Sequence, residues 1–297
     1  MVIEDSRIHD EIAADMMACE YDPYKWVMYA YPWGEKGTPL ENEDGPDDWQ
    51  KRFLDLLGEE ARAGRENGMP VRIATRSGHG VGKSATVAWV IQWFMSTRNH
   101  PQIICTANTE KQLTTKTWRE LAKWHNLAIN HDWFKWSATK FASEDHPETW
   151  FASAIPWSER NSEAFAGAHD ENVLVIMDEA SAIPDVIWEV ASGAMTTPGA
   201  IWLVFGNPTR NTGMFRECWG RHRNRWKTFT VDSREAKKAN REWCEELIAD
   251  YGIDSDYVRV RVLGEFPRSA VDQFIPLDMV EAAMERKVSP REVRGFP

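Results

Sequence analysis

Between residues 71 and 94 the sequence reads as an apolar run, a glycine-rich stretch and a second apolar run. That order constrains the fold more than any other feature of the chain. Val71-Arg72-Ile73-Ala74-Thr75 has the length and β-rich make-up of a buried strand, and Ala85 to Phe94 has the make-up of a helix. Between them stands Arg76-Ser77-Gly78-His79-Gly80-Val81-Gly82-Lys83-Ser84. The ending Gly-Lys-Ser fits a phosphate-binding loop. Glycines let successive amides turn inward around phosphate oxygens, and the following helix N-terminus adds positive field. In such a loop Lys83 reaches the β- and γ-phosphates, and Ser84 holds Mg²⁺. Ser77 stands where the strict pattern has Gly, with Gly78 and Gly80 supplying freedom beside it. A glycine-rich turn that binds nothing is the plainer alternative, but strand and helix flank the loop in the required order.

Further short apolar runs repeat the strand-then-helix alternation. They are Pro101–Ala107, Val173–Met177 and Ile201–Phe205, with helical spacing over Thr109–Ile129 and after Pro184. Alternating residues in 132–156 predict one or two more strands, and 226–231 another. Short helices are expected near Met214–Trp219, Asn240–Asp250, Ser255–Val262 and Leu277–Arg286. Continuous apolar strands alternating with helices indicate an α/β fold with a mostly parallel sheet flanked by helices. With the loop, this is the P-loop NTPase plan of the RecA/ASCE-like kind, with a small lid or linker region at the C-terminal side. Ligands in such sheets sit beyond the strand C-termini, and each motif here lies at one.

At the end of the strand Val173–Met177 stand Asp178 and Glu179. A carboxylate delivered by a buried strand suits the Mg²⁺ shell, the role read for Asp178, and the adjacent Glu179 is placed to deprotonate an attacking water. A strand that simply ends in acids is the alternative. The next strand runs into Gly206-Asn207-Pro208-Thr209. Asn207, with Thr209 second, is the residue expected to touch the γ-phosphate or the water, although Asn-Pro is turn chemistry in its own right. Charge developing in the transition state calls for a cation. Arg76 in cis, Arg160 in trans and Arg210 are the candidates, Arg76 being the best placed along the chain.

The formal net charge of −11 does not indicate a general nucleic-acid coat. Residues 1–60 hold 16 Asp and Glu against 5 Lys and Arg, read as a solvated face. Residues 210–241 reverse the balance, with 10 Lys and Arg against 3 acids. Arg221, Arg223, Arg225 and Lys227 are the densest part, a candidate phosphate-backbone contact set against a plain solvated or intersubunit face. Cys19, Cys105, Cys218 and Cys244 form no close pair and read as reduced thiols. No signal pattern or membrane-length apolar run is present, which points to an unsecreted protein with no membrane partner.

Taken together, these residues resemble the large terminase subunit of tailed bacteriophages over roughly residues 46–285. Trp49-Gln50 with Phe53-Leu54 looks like that family's adenine-binding element, which implies that Gln50 reads adenine with Trp49 packed beside it. Arg76–Ser84 looks like its phosphate loop, which often departs from the strict pattern and often carries an Arg. Ala107-Asn108-Thr109 with Gln112, Phe165–His169 leading to Ser181, and Gly206–Thr209 with Gly213 and Phe215 are similar to further family segments. Val262–Pro267 resembles the segment that closes the ATPase region. The resemblance implies Mg²⁺-dependent hydrolysis of ATP coupled to translocation of double-stranded DNA into a procapsid, in the host cytoplasm. It also implies a ring of subunits, a portal protein and a small terminase subunit as partners.

The resemblance also implies a C-terminal nuclease domain of ribonuclease H type, which the roughly 30 residues after Pro267 are expected to be too few to form. The expected organisation is therefore an N-terminal helical, acidic extension over residues 1–45, a P-loop ATPase domain over 46–267 with a lid from about 210, and a linker over 268–297. That implies an isolated ATPase domain that does not cut DNA. A helicase-like ATPase and a weakly hydrolysing nucleotide-binding assembly switch are the other readings; DNA-stimulated turnover separates a motor from a switch.

Overall fold

The structure is a computed structural model and describes residues 2–156, 170–268 and Met284. The expected helix near Leu277–Arg286, Arg160 and the Phe165–His169 segment lie wholly or mainly outside the described residues.

The chain opens with two helices, α1 (Val2–Met17) and α2 (Pro23–Ala30). Asp22 ends the turn between them and caps α2, its carboxylate accepting from the Lys25 amide, with Pro23 at the first helical position. Then come α3 (Asp48–Asn67), β1 (Val71–Ser77), α4 (Lys83–Thr97) and β2 (Gln102–Ala107). The long helix expected next is broken in kind. One turn of α5 (Glu110–Gln112) passes into a π-helical segment, Leu113–Trp118, and then into α6 (Arg119–His125). Residues 132–156 give three strands, β3 (Phe134–Trp136), β4 (Lys140–Ser143) and β5 (Phe151–Ala154), one more than the alternation indicated. After them stand β6 (Val173–Asp178), α7 (Asp185–Ser192), β7 (Ile201–Gly206), α8 (Met214–Glu217), β8 (Lys227–Val231), α9 (Arg241–Tyr251) and α10 (Asp256–Val258). A second π-helical segment, Arg259–Leu263, follows, and Gly264 ends it in the left-handed conformation.

The strands form one eight-stranded sheet in the order β3-β4-β5-β2-β6-β7-β1-β8. From β5 to β8 every pairing is parallel, and β3 and β4 add an antiparallel edge. β7 lies between β1 and β6, so whatever ends β7 stands between the phosphate loop and the acidic pair.

Side chains alternate across the sheet, and each face has its own core. On one side Ile73, Leu203, Ile176 and Cys105 meet α3, α4 and α6; on the other Ala74, Val204, Val175 and Ile104 meet α7 and α8. Helix α4 is buried from Thr86 to Thr97, because the sheet lies under it and other helices cover it. That explains its lack of a polar face.

The N-terminal extension supplies part of that cover. Met16, Trp26 and Val27 are fully buried, the Trp93 indole donates to the Cys19 carbonyl, and Arg98 donates to the Glu20 carbonyl. Burying each such apolar side chain is worth about 1.5–3 kcal/mol, so this stretch is a structural part of the domain. From Asp10 to Glu60 the acids are exposed or half-buried, as expected for a solvated face, apart from the buried Asp47. Among the described residues no helix is long and apolar enough to cross a membrane.

Candidate nucleotide site

The phosphate loop departs from helical and extended geometry at two points. Gly80 and Gly82 have φ of +73° and +89°, a region costly for residues with a Cβ. These turns lead into Lys83, the first residue of α4. The Lys83 ammonium donates to the Ser77 hydroxyl at 2.8 Å and to Asn207 Oδ1 at 3.5 Å. Ser77, the departure from the strict pattern, therefore serves as a rest for the lysine. Asn207 Nδ2 donates to the carbonyls of Ser77 and Gly78 at 2.7 and 2.9 Å, locking the end of β7 to the start of the loop.

Two loop amides are used inside the protein. The Gly78 amide donates to the Val231 carbonyl and the His79 amide to the Arg261 carbonyl. Gly80, Val81, Gly82, Lys83 and Ser84 remain as the candidate phosphate-binding amides of the stretch that the sequence reads from Ser77. Beneath the loop, the Trp49 indole donates to the Val81 carbonyl at 2.9 Å. Gln50 is committed on both ends of its amide. Oε1 accepts from the Asp47 amide at 2.8 Å, and Nε2 donates to the Thr86 hydroxyl at 2.9 Å and the Gly82 carbonyl at 3.3 Å. Trp49 and Gln50 brace the loop from α3, and neither Gln50 donor is left for a base.

At the end of β6 the Asp178 carboxylate is 4 % exposed. Oδ2 accepts from the Thr117 hydroxyl at 2.6 Å and Oδ1 from the Glu179 amide at 2.9 Å. Burial pushes its pKa up, against the Thr117 hydrogen bond. Burial likewise pulls the Lys83 pKa down, against the charges of Asp178 and Glu179. Asp178 is buried and Lys83 and Glu179 are half-buried, so a phosphate or cation bound among them is screened less than in open water. Glu179 lies just past the strand at φ +54°, a strained position for a non-glycine residue. Its carboxylate is 3.7 Å from the Lys116 ammonium.

These parts line one cavity of about 410 Å³, walled by Gln50, His79–Ala85, Asp178, Glu179 and Asn207. Sequence reasoning did not find the rest of the lining, which includes Trp33, Trp89, Trp124, Lys116 and Lys238. Thr117 and Lys116 carried no signal because the π-helical turn that aims them has no sequence period of its own. Trp33 comes from the extension read as separate from the domain.

Arg76 is elsewhere. Strand alternation sends its side chain to the face opposite Ser77. There Nε donates to the Thr230 hydroxyl at 3.0 Å and the guanidinium centre lies 5.3 Å from the Trp219 ring and 5.1 Å from that of Phe266. Burial lowers its pKa to about 10. Arg76 does not line the cavity, which corrects the expectation of a cis arginine. Arg160 lies outside the described residues. The basic cluster is remote as well. Lys227 pairs in register with Ile73 near the start of β1, at the sheet edge away from the loop, and its ammonium is 3.0 Å from Glu60. Arg221 lies 3.8 Å from Glu217, and Arg223 and Arg225 form a one-turn 3₁₀ segment before β8.

A family model described as the N-terminal part of the T4likevirus-type terminase large subunit matches residues 76–273. A probable terminase large subunit of Enterobacteria phage P7 is 28% identical over 225 residues, covering 71% of this chain and 46% of that one. The chain thus spans about half the length of this curated relative. The large terminase of bacteriophage HK97 superposes with a TM-score of 0.61 at 13% identity, over 91% of this chain and 59% of that one. The ATPase domain of the Thermus phage P74-26 large terminase does so with a TM-score of 0.51 at 18% identity, over 74% of this chain and 98% of that one. A large terminase from a thermophilic bacteriophage, solved with ADP, gives 0.52 at 11% identity, over 86% of this chain and 53% of that one. At these identities the structural likeness is one of fold. With the family model covering most of the chain, from the end of the phosphate-loop strand past Phe266, the protein belongs to the terminase large-subunit family, in its N-terminal region.

Proposed function

We propose that this chain is the ATP-hydrolysing domain of a DNA-packaging motor, turning ATP into ADP and phosphate to drive double-stranded DNA into a procapsid. One observation carries the reading: Lys83 and Ser84, Asp178 and Glu179, and Asn207 come from three different strand ends and line a single cavity. Relatives described as terminase large subunits, and a structural neighbour solved with ADP, support it.

The residues divide the work by chemistry. The amides from Gly80 to Ser84 and the α4 N-terminus take the phosphates. Lys83, steadied by Ser77 and Asn207, meets the terminal phosphate as a point charge. Glu179 takes a proton from water attacking the γ-phosphorus, and Asn207 holds the end of β7 against the start of the loop and Lys83. The donors fit Mg²⁺, since the Ser84 hydroxyl and the Asp178 carboxylate are hard oxygens lining the same cavity. Held by Ser84 and Asp178, Mg²⁺ would offset charge on the phosphates. Arg160 is the cation offered to a neighbouring subunit in a ring, and Arg221, Arg223, Arg225 and Lys227 are the surface offered to DNA phosphates. The portal and small-subunit partners and the host-cytoplasmic setting follow from the family.

Steady-state ATP hydrolysis, with and without double-stranded DNA and across protein concentration, tests the reading. Turnover that rises with DNA and steeply with concentration is expected. Absence of both nucleotide binding and turnover under all these conditions overturns it.

A further inference from the structure

The carboxylate read as the general base does not stand alone. Glu179 Oε1 is 3.7 Å from Lys116 Nζ, and both residues line the cavity that holds Lys83 and Ser84. The neighbouring residue Thr117 grips the neighbouring carboxylate, its hydroxyl donating to Asp178 at 2.6 Å. Two successive residues thus meet two successive acids. The π-helical segment Leu113–Trp118 makes this possible, because its wider turn brings adjacent side chains toward one face. The segment is firmly seated. Leu113 and Trp118 are fully buried, and the Trp118 indole donates to the Ser137 carbonyl at 2.8 Å.

The other cations on the cavity wall have partners outside the chemistry. Lys123 lies 3.2 Å from Glu120 and Lys238 3.1 Å from Glu43, while Lys83 rests on Ser77 and Asn207. Arg76 faces the other side of the sheet. Only Lys116, among these, pairs with the reacting carboxylate itself. Its side chain is 57% exposed, so this ion pair adds little to folding and leaves the ammonium free to swing. A lysine is a mobile point charge with three rotatable donors, suited to exchanging partners.

We propose that Lys116 is a second cation of the catalytic site, acting in cis and shared between the Glu179 carboxylate and the terminal phosphate of a bound nucleoside triphosphate. This rests on the nucleotide reading of the cavity. A terminal phosphate carries more negative charge than a carboxylate and draws the ammonium toward itself. Glu179 is thereby released to accept a proton from water. The water oxygen bonds to the γ-phosphorus, the bond from that phosphorus to the bridging oxygen breaks, and the electron pair leaves with the β-phosphate. A diphosphate lacks the group that Lys116 would move to, so the exchange distinguishes substrate from product.

Calorimetric titration of the whole chain with ADP and with the non-hydrolysable triphosphate AMP-PNP, beside steady-state turnover, tests this. Losing one charge-assisted contact in Lys116→Met should weaken AMP-PNP binding about tenfold, leave ADP within about twofold and lower kcat about tenfold or more. Lys116→Arg should restore AMP-PNP affinity to within about threefold, a rescue that a packing role for the stem alone does not predict. Equal weakening of both nucleotides, or unchanged AMP-PNP affinity and kcat in the Met variant, overturns the proposal. Lys83→Ala separates the two claims, since it should lose both nucleotides. If the unaltered chain binds neither, the nucleotide reading falls and this inference falls with it.

Discussion

The His79 amide donates to the Arg261 carbonyl at 2.8 Å, tying the phosphate loop to the segment that closes the fold. The Gly78 amide to Val231 and the Ser233 hydroxyl to the His79 carbonyl complete the seam. Glycine is required on both sides of it. A Cβ on Gly78 would run into Ser233 and the Val262 carbonyl, and one on Gly264 would lie 2.6 Å from the Val231 carbonyl at a φ of +66°. A shift of the closing segment is therefore felt in the loop.

Gly78→Ala should cost about 2–4 kcal/mol, because the backbone carbonyls of Val262 and Arg261 stand in the way as well as the Ser233 hydroxyl. Urea unfolding followed by tryptophan fluorescence measures it. A variant as stable as the parent would show that the seam yields easily.

Glu179→Gln keeps the size of the side chain but cannot take a proton. It should bind ATP normally and lose turnover by about 10²–10⁴-fold. Lys83→Ala should lose binding and turnover together. Normal hydrolysis by Glu179→Gln removes Glu179 from the role of base.

Gln50→Ala tests a bracing role against base reading. With Oε1 on Asp47 and Nε2 on Gly82 and Thr86, removal should cost about 1–3 kcal/mol of stability and weaken ATP and GTP alike. A loss confined to adenine nucleotides would instead establish Gln50 as the reader of the base.

Arg76 lies on the far face of the sheet, which leaves Arg160 as the arginine to test in trans. Mixing Arg160→Ala protein with Lys83→Ala protein should recover ATPase activity that neither has alone. No recovery, with mixed assembly demonstrated by crosslinking, counts against a shared site.

His125 sets a pH dependence. Its ring is 8% exposed, lies 5.0 Å from the Phe141 ring, and burial lowers its pKa to about 4 from 6.5. Above pH 6.5 neither folded nor unfolded chain protonates it, so stability is complete. As pH falls from 6.5 through 4 the unfolded chain takes a proton that the folded ring refuses, and stability drops by about 1–3 kcal/mol. His125→Leu should flatten that limb in urea titrations at pH 7 and pH 5. The same slope in both proteins would show that other groups carry it.

The local pattern was enough for the parallel sheet, the phosphate loop and the acidic pair. Strands such as Val173–Asp178 are buried on both faces and so read as unbroken apolar runs. Glycine is needed where φ is positive, which is why Gly80 and Gly82 announced the loop. Arg76 shows the limit of such reading. Its place in the chain put it beside the phosphates, but Ser77 and Arg76 are consecutive strand residues and face opposite ways, and Trp219, Phe266 and Thr230 hold the guanidinium there.

The N-terminal extension shows a second limit. Acids on its exposed side set its overall composition, while Met16, Trp26 and Val27 decide its place by burial on α4. Sequence by itself determined which strands lead to Lys83, Asp178 and Asn207, because strand period, glycine conformation and charge are local properties. Tertiary structure alone decided that β7 sits between β1 and β6, that a π-helical turn carries Lys116 and Thr117 to the two carboxylates, and that Arg261 meets the phosphate loop. Those contacts join residues tens to more than a hundred positions apart, and only the packing of the whole sheet and its covering helices brings them together.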